Sequence, residues 1–179
     1  MMKNKHIHIR PLTVKDAEES LKYQLNNREF FERFSMTRSS DFYTIEGQTE
    51  RIRKYAEHMS TDEEYNLGIF TNDTDTLIGS ISLFQVLRGD LQSAFIGYFL
   101  DKSNNGKGYA TEAVELIVEY AFNEINLHRI EAGVMPHNIA SIRVLEKAGF
   151  HKEGLAKKNV KINGKWEDHQ VLAIINPDD

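Results

Sequence analysis

Asp101-Lys102-Ser103-Asn104-Asn105-Gly106-Lys107-Gly108 runs without a break into Tyr109-Ala110-Thr111-Glu112-Ala113-Val114, and this junction decides how the chain is read. The first eight residues are rich in turn formers. After them, Ala110, Ala113, Val114, Ile117, Val118, Ala121 and Phe122 recur at three- and four-residue intervals, which predicts a helix with one continuous apolar face. The first N–H groups of such a helix have no intrahelical acceptor, and the helix dipole adds partial positive charge to them. Gly106 and Gly108 let a ligand approach that backbone closely, so Asn105-Gly106-Lys107-Gly108-Tyr109-Ala110 is a candidate seat for an anion. The loop lacks the spacing and the Gly-Lys-Ser/Thr ending of a Walker motif, and the three glycines of the dinucleotide fingerprint.

Working outward, Leu91 to Leu100 reads as the strand that feeds the loop. Before it, Tyr65 to Thr71 and Leu77 to Leu87 flank the turn formers Asn72-Asp73-Thr74-Asp75-Thr76 and predict a hairpin, so the middle of the chain is an antiparallel meander. Nearer the N-terminus, Ile7 to Leu12 alternates as a short strand. Thr13 with Asp16 marks the start of a helix over 13–28, and Thr44 to Met59 is a second helical pattern. Between these helices lie Phe30, Phe31, Phe34, Phe42 and Tyr43, an aromatic loop suited to filling the core or lining a pocket. After the apolar helix come a strand over 129–135 ended by Pro136, a helix over 138–148 stopped by Gly149, and closing strands over 150–155 and 171–175 with an Asn163-Gly164 turn between them. The order β-α-α-β-β-β-α-β-α-β-β predicts one α/β (α+β mixed) domain over 1–179, core 6–176. Its central sheet is mixed and mostly antiparallel, flanked by about four helices.

Composition narrows the chemistry. The chain has 179 residues, 40% hydrophobic and 27% charged, which suits one folded domain. It has no cysteine, which excludes disulfides, thiolate metal sites and cysteine nucleophiles. A net charge of −5 argues against a nucleic-acid backbone as direct partner. No apolar run is long enough for a membrane span, and Met1-Met2-Lys3-Asn4-Lys5-His6 lacks a secretory signal's apolar segment, so a cytoplasmic protein is expected. His6, His8, His128, His137, His151 and His169 lack metal-ligand spacing, so no metal is expected.

Taken with its flanks, the loop resembles that of the GNAT N-acetyltransferase superfamily, whose pattern is Arg/Gln-x-x-Gly-x-Gly/Ala. Asn105-x-x-Gly108-x-Ala110 matches it at the glycine and the final small residue, with Asn105 in place of Arg or Gln. A second signature follows in Val134-Met135-Pro136-His137-Asn138-Ile139-Ala140-Ser141 and Glu146-Lys147-Ala148-Gly149-Phe150. The stretches 96–113 and 136–150 look most like the branch that acetylates ribosomal-protein N-termini.

The resemblance implies acetyl-CoA as co-substrate, its pyrophosphate on residues 105–110 and its pantetheine arm along the backbone of Phe99 and Leu100. Asn138 would contact that arm. Lys102, Lys107, Arg143 and Lys147 bracket the two motifs and are candidates for the CoA phosphates. The tyrosine that many members use to protonate the departing thiolate is replaced here by Leu145, and Ser141 is the alternative acid that the branch suggests. The glutamate that often precedes Ile-Gly-Tyr is replaced by Phe95, which leaves Asp168 as candidate for holding the substrate ammonium or relaying its proton through water. Glu46, Tyr43 and the aromatic loop are candidates for the acceptor wall. Three functions follow: acetylation of a protein N-terminus such as a ribosomal protein's, acetylation of a small amine (polyamine, amino acid or aminoglycoside), and non-catalytic sensing of acetyl-CoA. Oligomeric state stays open, a homodimer included.

Overall fold

Alternating apolar residues make the strands of this protein and three- and four-residue spacing makes its helices. The computed structural model describes residues 2–35 and 38–179. Its strands are β1 (Met2–Lys3), β2 (Ile7–Pro11), β3 (Tyr65–Thr71), β4 (Leu77–Leu87), β5 (Ser93–Leu100), β6 (Arg129–Val134), β7 (His151–Ile162) and β8 (Lys165–Ile175). The α-helices are α1 (Ala17–Asn26), α2 (Arg28–Glu32), α3 (Ile45–Ser60), α4 (Tyr109–Asn123) and α5 (Ile139–Lys147). One sheet holds all eight strands in the order β1-β2-β3-β4-β5-β6-β8-β7, and every neighbouring pair is antiparallel except β5 with β6. The expected mixed, mostly antiparallel sheet is present, and four of the helices have nine residues or more.

The sheet is covered on both faces. On one, α4 buries Ala113, Val114, Ile117 and Ala121 against Ile7, Ile9, Leu67, Ile81 and Ile130, with Leu145 of α5 fully buried beside them. Each buried Val, Leu or Ile among them contributes roughly 1.5–3 kcal/mol, and each alanine less. On the other face a smaller cluster joins Tyr23 of α1, Phe31 of α2, Phe70 and Leu77, with Phe99 packed against it. Strand β5 serves both: Ala94, Ile96 and Leu100 enter the first cluster and Phe99 the second, as a period of two requires.

Two expectations need correction. The predicted helix over 13–28 is a short 3-10 turn followed by α1, and it breaks at Asn27 before the five-residue α2. The cause is the Asn27 side chain, which is 1% exposed and turned into the structure. It donates to Tyr23 O at 2.9 Å and Asp101 Oδ2 at 3.3 Å, and accepts from Lys102 N–H at 3.0 Å. The last two strands are also longer than predicted, running to the Asn163-Gly164 turn, where φ is +50° and +81°. Strand β7 is largely exposed and carries two bulges, so its sequence has no clean alternation to read.

Candidate functional site

The parallel contact between β5 and β6 sets the site. Their pairing covers Ser93 to Phe95 against Arg129 to Glu131 and goes no further. Beyond it, the edge of β5 from Ile96 to Leu100 that turns away from β4 is unpaired. Backbone groups alternate along a strand, and Asp101 N–H donates to Ile78 O of β4 at 2.7 Å. The N–H and C=O of Phe99 therefore face β4, and its carbonyl accepts from the Tyr23 hydroxyl at 3.2 Å. Tyr98 and Leu100 present theirs to the opening. Of the two residues expected to offer backbone there, Leu100 stands at the opening and Phe99 faces the neighbouring strand.

At the end of β5 the chain turns sharply. Asp101 Oδ1 accepts from Ser103 N–H at 2.9 Å and from its hydroxyl at 2.7 Å. Burial pushes the Asp101 carboxyl up, but the bonds from Ser103 and Asn27 outweigh that and hold it below its ordinary value. Asn105, Gly106, Lys107 and Gly108 follow as an exposed loop, with Gly106 at φ +80° and Gly108 at φ +82°. A Cβ added at either glycine meets no atom within 4 Å, so open space faces the loop backbone. Glu112 N–H is the first to find a helical acceptor, Gly108 O at 3.1 Å, which leaves the N–H groups of Tyr109, Ala110 and Thr111 without one. Lys107 Nζ lies 5.8 Å from the Tyr109 ring centroid. This is what an anion at a helix N-terminus requires.

The other lip of the opening is α5. Asn138 is its N-cap: Oδ1 accepts from Ser141 N–H at 3.3 Å, leaving its amide NH2 for another acceptor. The Ser141 side chain reaches across to β5, where its Oγ lies 2.7 Å from the Tyr98 hydroxyl. The same tyrosine oxygen lies 3.2 Å from the Ser141 carbonyl, to which it can donate. Burial pushes the Tyr98 hydroxyl up to about 12, against a smaller opposing effect from Ser141, so it is protonated at neutral pH. Tyr98 joins the candidate site through this contact, and sequence reading missed it. The available signal was a hydroxyl on the core-facing side of an apolar strand, where it needs a partner. Leu145, at the expected tyrosine position, is fully buried, and Phe95 stacks on Phe84 at 5.8 Å.

Opposite these residues, the Phe34 ring lies 6.3 Å from His137 in the turn before α5. Asn163, in the β7–β8 turn, donates to Glu32 O, and Tyr43 donates to Glu32 Oε1 at 2.9 Å. The aromatic segment, the final hairpin and the Pro136-His137-Asn138 turn thus share one wall. Glu46 is exposed at the start of α3. Asp168 sits in β8 opposite the β7 bulge, where its Oδ1 accepts from Lys158 N–H at 2.8 Å. One carboxylate oxygen is used in this way and the other has no partner among the described residues. No group of three or more metal-ligating side chains occurs among the described residues, and no described helix is long and apolar enough to cross a membrane.

Comparison with known proteins agrees with this geometry. The family model for the acetyltransferase (GNAT) domain matches residues 6–151. The probable N-acetyltransferase YjcK of Bacillus subtilis is 68% identical over 179 residues, 100% of this chain and 99% of that one. The ribosomal-protein-S5-alanine acetyltransferase of Vibrio fischeri superposes with a TM-score of 0.93 at 33% identity, covering 98% of this chain and 96% of its own. RimJ of Mycobacterium smegmatis, solved in complex with CoA-disulfide, gives 0.90 at 27% identity over 96% and 83% of the two chains. With an open β5–β6 edge, a glycine loop at a helix N-terminus and a family match across most of its length, the chain belongs to the GNAT family of N-acetyltransferases.

Proposed function

We propose that the protein transfers the acetyl group of acetyl-CoA to the α-amine of a peptide or protein N-terminus, as a single cytoplasmic domain. The observation that carries this reading is the Ser141–Tyr98 hydroxyl pair at the mouth of the β5–β6 opening. Residues 105–110 hold the pyrophosphate through backbone N–H groups, with Lys107 beside them. The pantetheine arm lies in the opening against the free backbone groups of Tyr98 and Leu100 and the amide of Asn138. Acetyl-CoA brings the activated thioester, and the neutral amine attacks its carbonyl carbon to form the amide as the C–S bond breaks. When Tyr98 donates to Ser141 Oγ, the Ser141 proton is free to point at the departing sulfur. Tyr98, neutral at physiological pH, passes its own proton to Ser141 Oγ as the thiolate takes the serine's, and the proton released by the attacking amine returns through solvent to restore Tyr98. The free oxygen of Asp168 holds the incoming ammonium or passes its proton to water.

The α-amine fits a site without a strong base. Its reference pKa is near 8, against about 10.4 for a lysine side chain, so much more of it is neutral at pH 7. The resemblance of 96–113 and 136–150 to the ribosomal-protein branch, and the likeness to the Vibrio fischeri enzyme, support a ribosomal protein as acceptor. Competition among a peptide with a free N-terminus, its N-terminally blocked form with an internal lysine, and spermidine tests the reading. Faster acetylation of the free N-terminus is expected, and faster acetylation of spermidine or the lysine peptide would replace it with the small-amine or lysine alternative.

A further inference from the structure

The arginines of this protein divide sharply by what they touch. Arg10, Arg28, Arg33, Arg88 and Arg129 each hold a carboxylate within 4.0 Å. Arg53 and Arg143 are exposed. Arg38 and Arg51 are partly buried, and neither has a carboxylate partner among the described residues. Met36 and Thr37, which precede Arg38, contain no acid. Both guanidinium carbons lie against the same ring, Phe42, at 4.1 and 4.2 Å from its centroid. Arg51 also contacts the Tyr55 hydroxyl with Nη2, while its Nη1 is buried and has no hydrogen-bond partner.

Two guanidiniums on one ring, partly out of water and with no counter-charge among the described residues, oppose folding. Cation–π contact offsets only part of that cost. Burial and the charge of Arg51 together push the Arg38 guanidinium below its ordinary value, the response expected of a like-charged pair. The nearby acid Glu32 is already taken by Arg28 and Tyr43. What the pair lacks is an anion with two oxygens, which matches the fork of a guanidinium.

The pair stands on Phe42, in the aromatic segment that is the candidate acceptor wall. Both arginines act electrostatically on the Tyr23 hydroxyl, and that hydroxyl donates to Phe99 O near the end of β5, on the face opposite Tyr98. We propose that Arg38 and Arg51 are specificity-determining residues that seat a carboxylate carried by the acetyl acceptor. This deepens the reading above and rests on it for the identity of the bound molecule. The carboxylate belongs either to an acidic side chain near a peptide N-terminus or to a free amino acid.

The test uses the full chain saturated with CoA, so that the pyrophosphate loop is filled and cannot bind the probe. Glutarate should raise the melting temperature of the wild type and should not raise that of Arg38→Gln or Arg51→Gln. Bound CoA and a cooperative melt show that each variant is folded, and the milder Arg38→Lys replaces any variant that is not. In acetyl transfer, three peptides differing only in Glu, Gln or Lys at the third position should rank with Glu first, by about tenfold over Gln in kcat/KM. Arg51→Gln should erase that ranking through KM. Free glutamate set against its diamide separates the small-acceptor source from the peptide source. No preference for Glu, a preference that survives both Gln variants, or a glutarate shift equal in wild type and variants overturns the proposal, as does stabilisation by inorganic phosphate but not by glutarate. If no amine is acetylated yet glutarate binds only the wild type, the enzymatic reading fails and the carboxylate seat stands.

Discussion

Replacing Gly108 by valine probes the loop proposed to seat the acetyl-CoA pyrophosphate. Gly108 holds φ +82° immediately before α4, and a Cβ there meets no atom within 4 Å. The free protein therefore resists the change only through its backbone, at about 1–2 kcal/mol for a non-glycine residue in the left-handed region. Gly89, in the β4–β5 turn at the other end of β5, has φ +65° and equally open surroundings. Gly89→Val is thus a matched control, and both variants should lose similar stability in urea unfolding. Only Gly108→Val puts a branched side chain beside the N–H groups proposed to hold the pyrophosphate. One charge-assisted hydrogen bond lost there is worth about 1.5–3 kcal/mol, hence a roughly ten- to hundredfold weaker Kd for acetyl-CoA. Calorimetric titration of the folded variants measures this directly. The reasoning is refuted if Gly108→Val binds within about twofold of the wild type, or if Gly89→Val weakens binding as much.

Other outcomes follow from the same geometry. Ser141→Ala should lower kcat by about 10²-fold while leaving the acetyl-CoA Kd little changed, as rapid-quench kinetics and titration would show, because a proton donor acts in the transition state. Tyr98→Phe should cost about 1 kcal/mol in urea unfolding and lower kcat less than Ser141→Ala does, since it removes a partner of the proposed acid and not that acid. Asn138→Ala removes the α5 cap and should cost about 1 kcal/mol while raising the KM for acetyl-CoA. The Arg10 hydrogen bond holds the Asp16 carboxyl below 3.8, so this pair stabilises the fold above that pH and loses its contribution as pH falls through the lower folded value. Asp16→Asn should flatten that part of the acid unfolding profile, measured by circular dichroism.

Much of this molecule is legible from local pattern. The α4 stripe, the Thr44 start of α3, the Gly149 stop after α5 and the meander of β3, β4 and β5 all express periods and caps contained in short windows. What escaped depends on distant partners. Asn27 looks like a polar helix residue until Asp101 and Lys102, more than seventy positions away, are brought against it. The middle of β7 is exposed and bulged, and it forms a strand because β8 lies beside it. At the site, the loop glycines and Ser141 stand out through motif spacing, whereas Tyr98 matters through a contact with a residue 43 positions away. The bulge closed by Asp168 joins residues ten positions apart across a hairpin, whereas the Asn138 cap is a local hydrogen bond that a motif match does not describe.

The most direct measurement of the central claim is the fate of the acetyl group itself. The wild-type protein is incubated with acetyl-CoA and a peptide that carries both a free N-terminus and an internal lysine. Thiol release is recorded, and tandem mass spectrometry locates the added acetyl group. Thiol should appear in step with peptide acetylation, with the acetyl group on the N-terminal nitrogen and a common loss of both signals in Ser141→Ala. Acetyl-CoA binding without amine-dependent thiol release, or an acetyl group found on the lysine in place of the N-terminus, would contradict the claim.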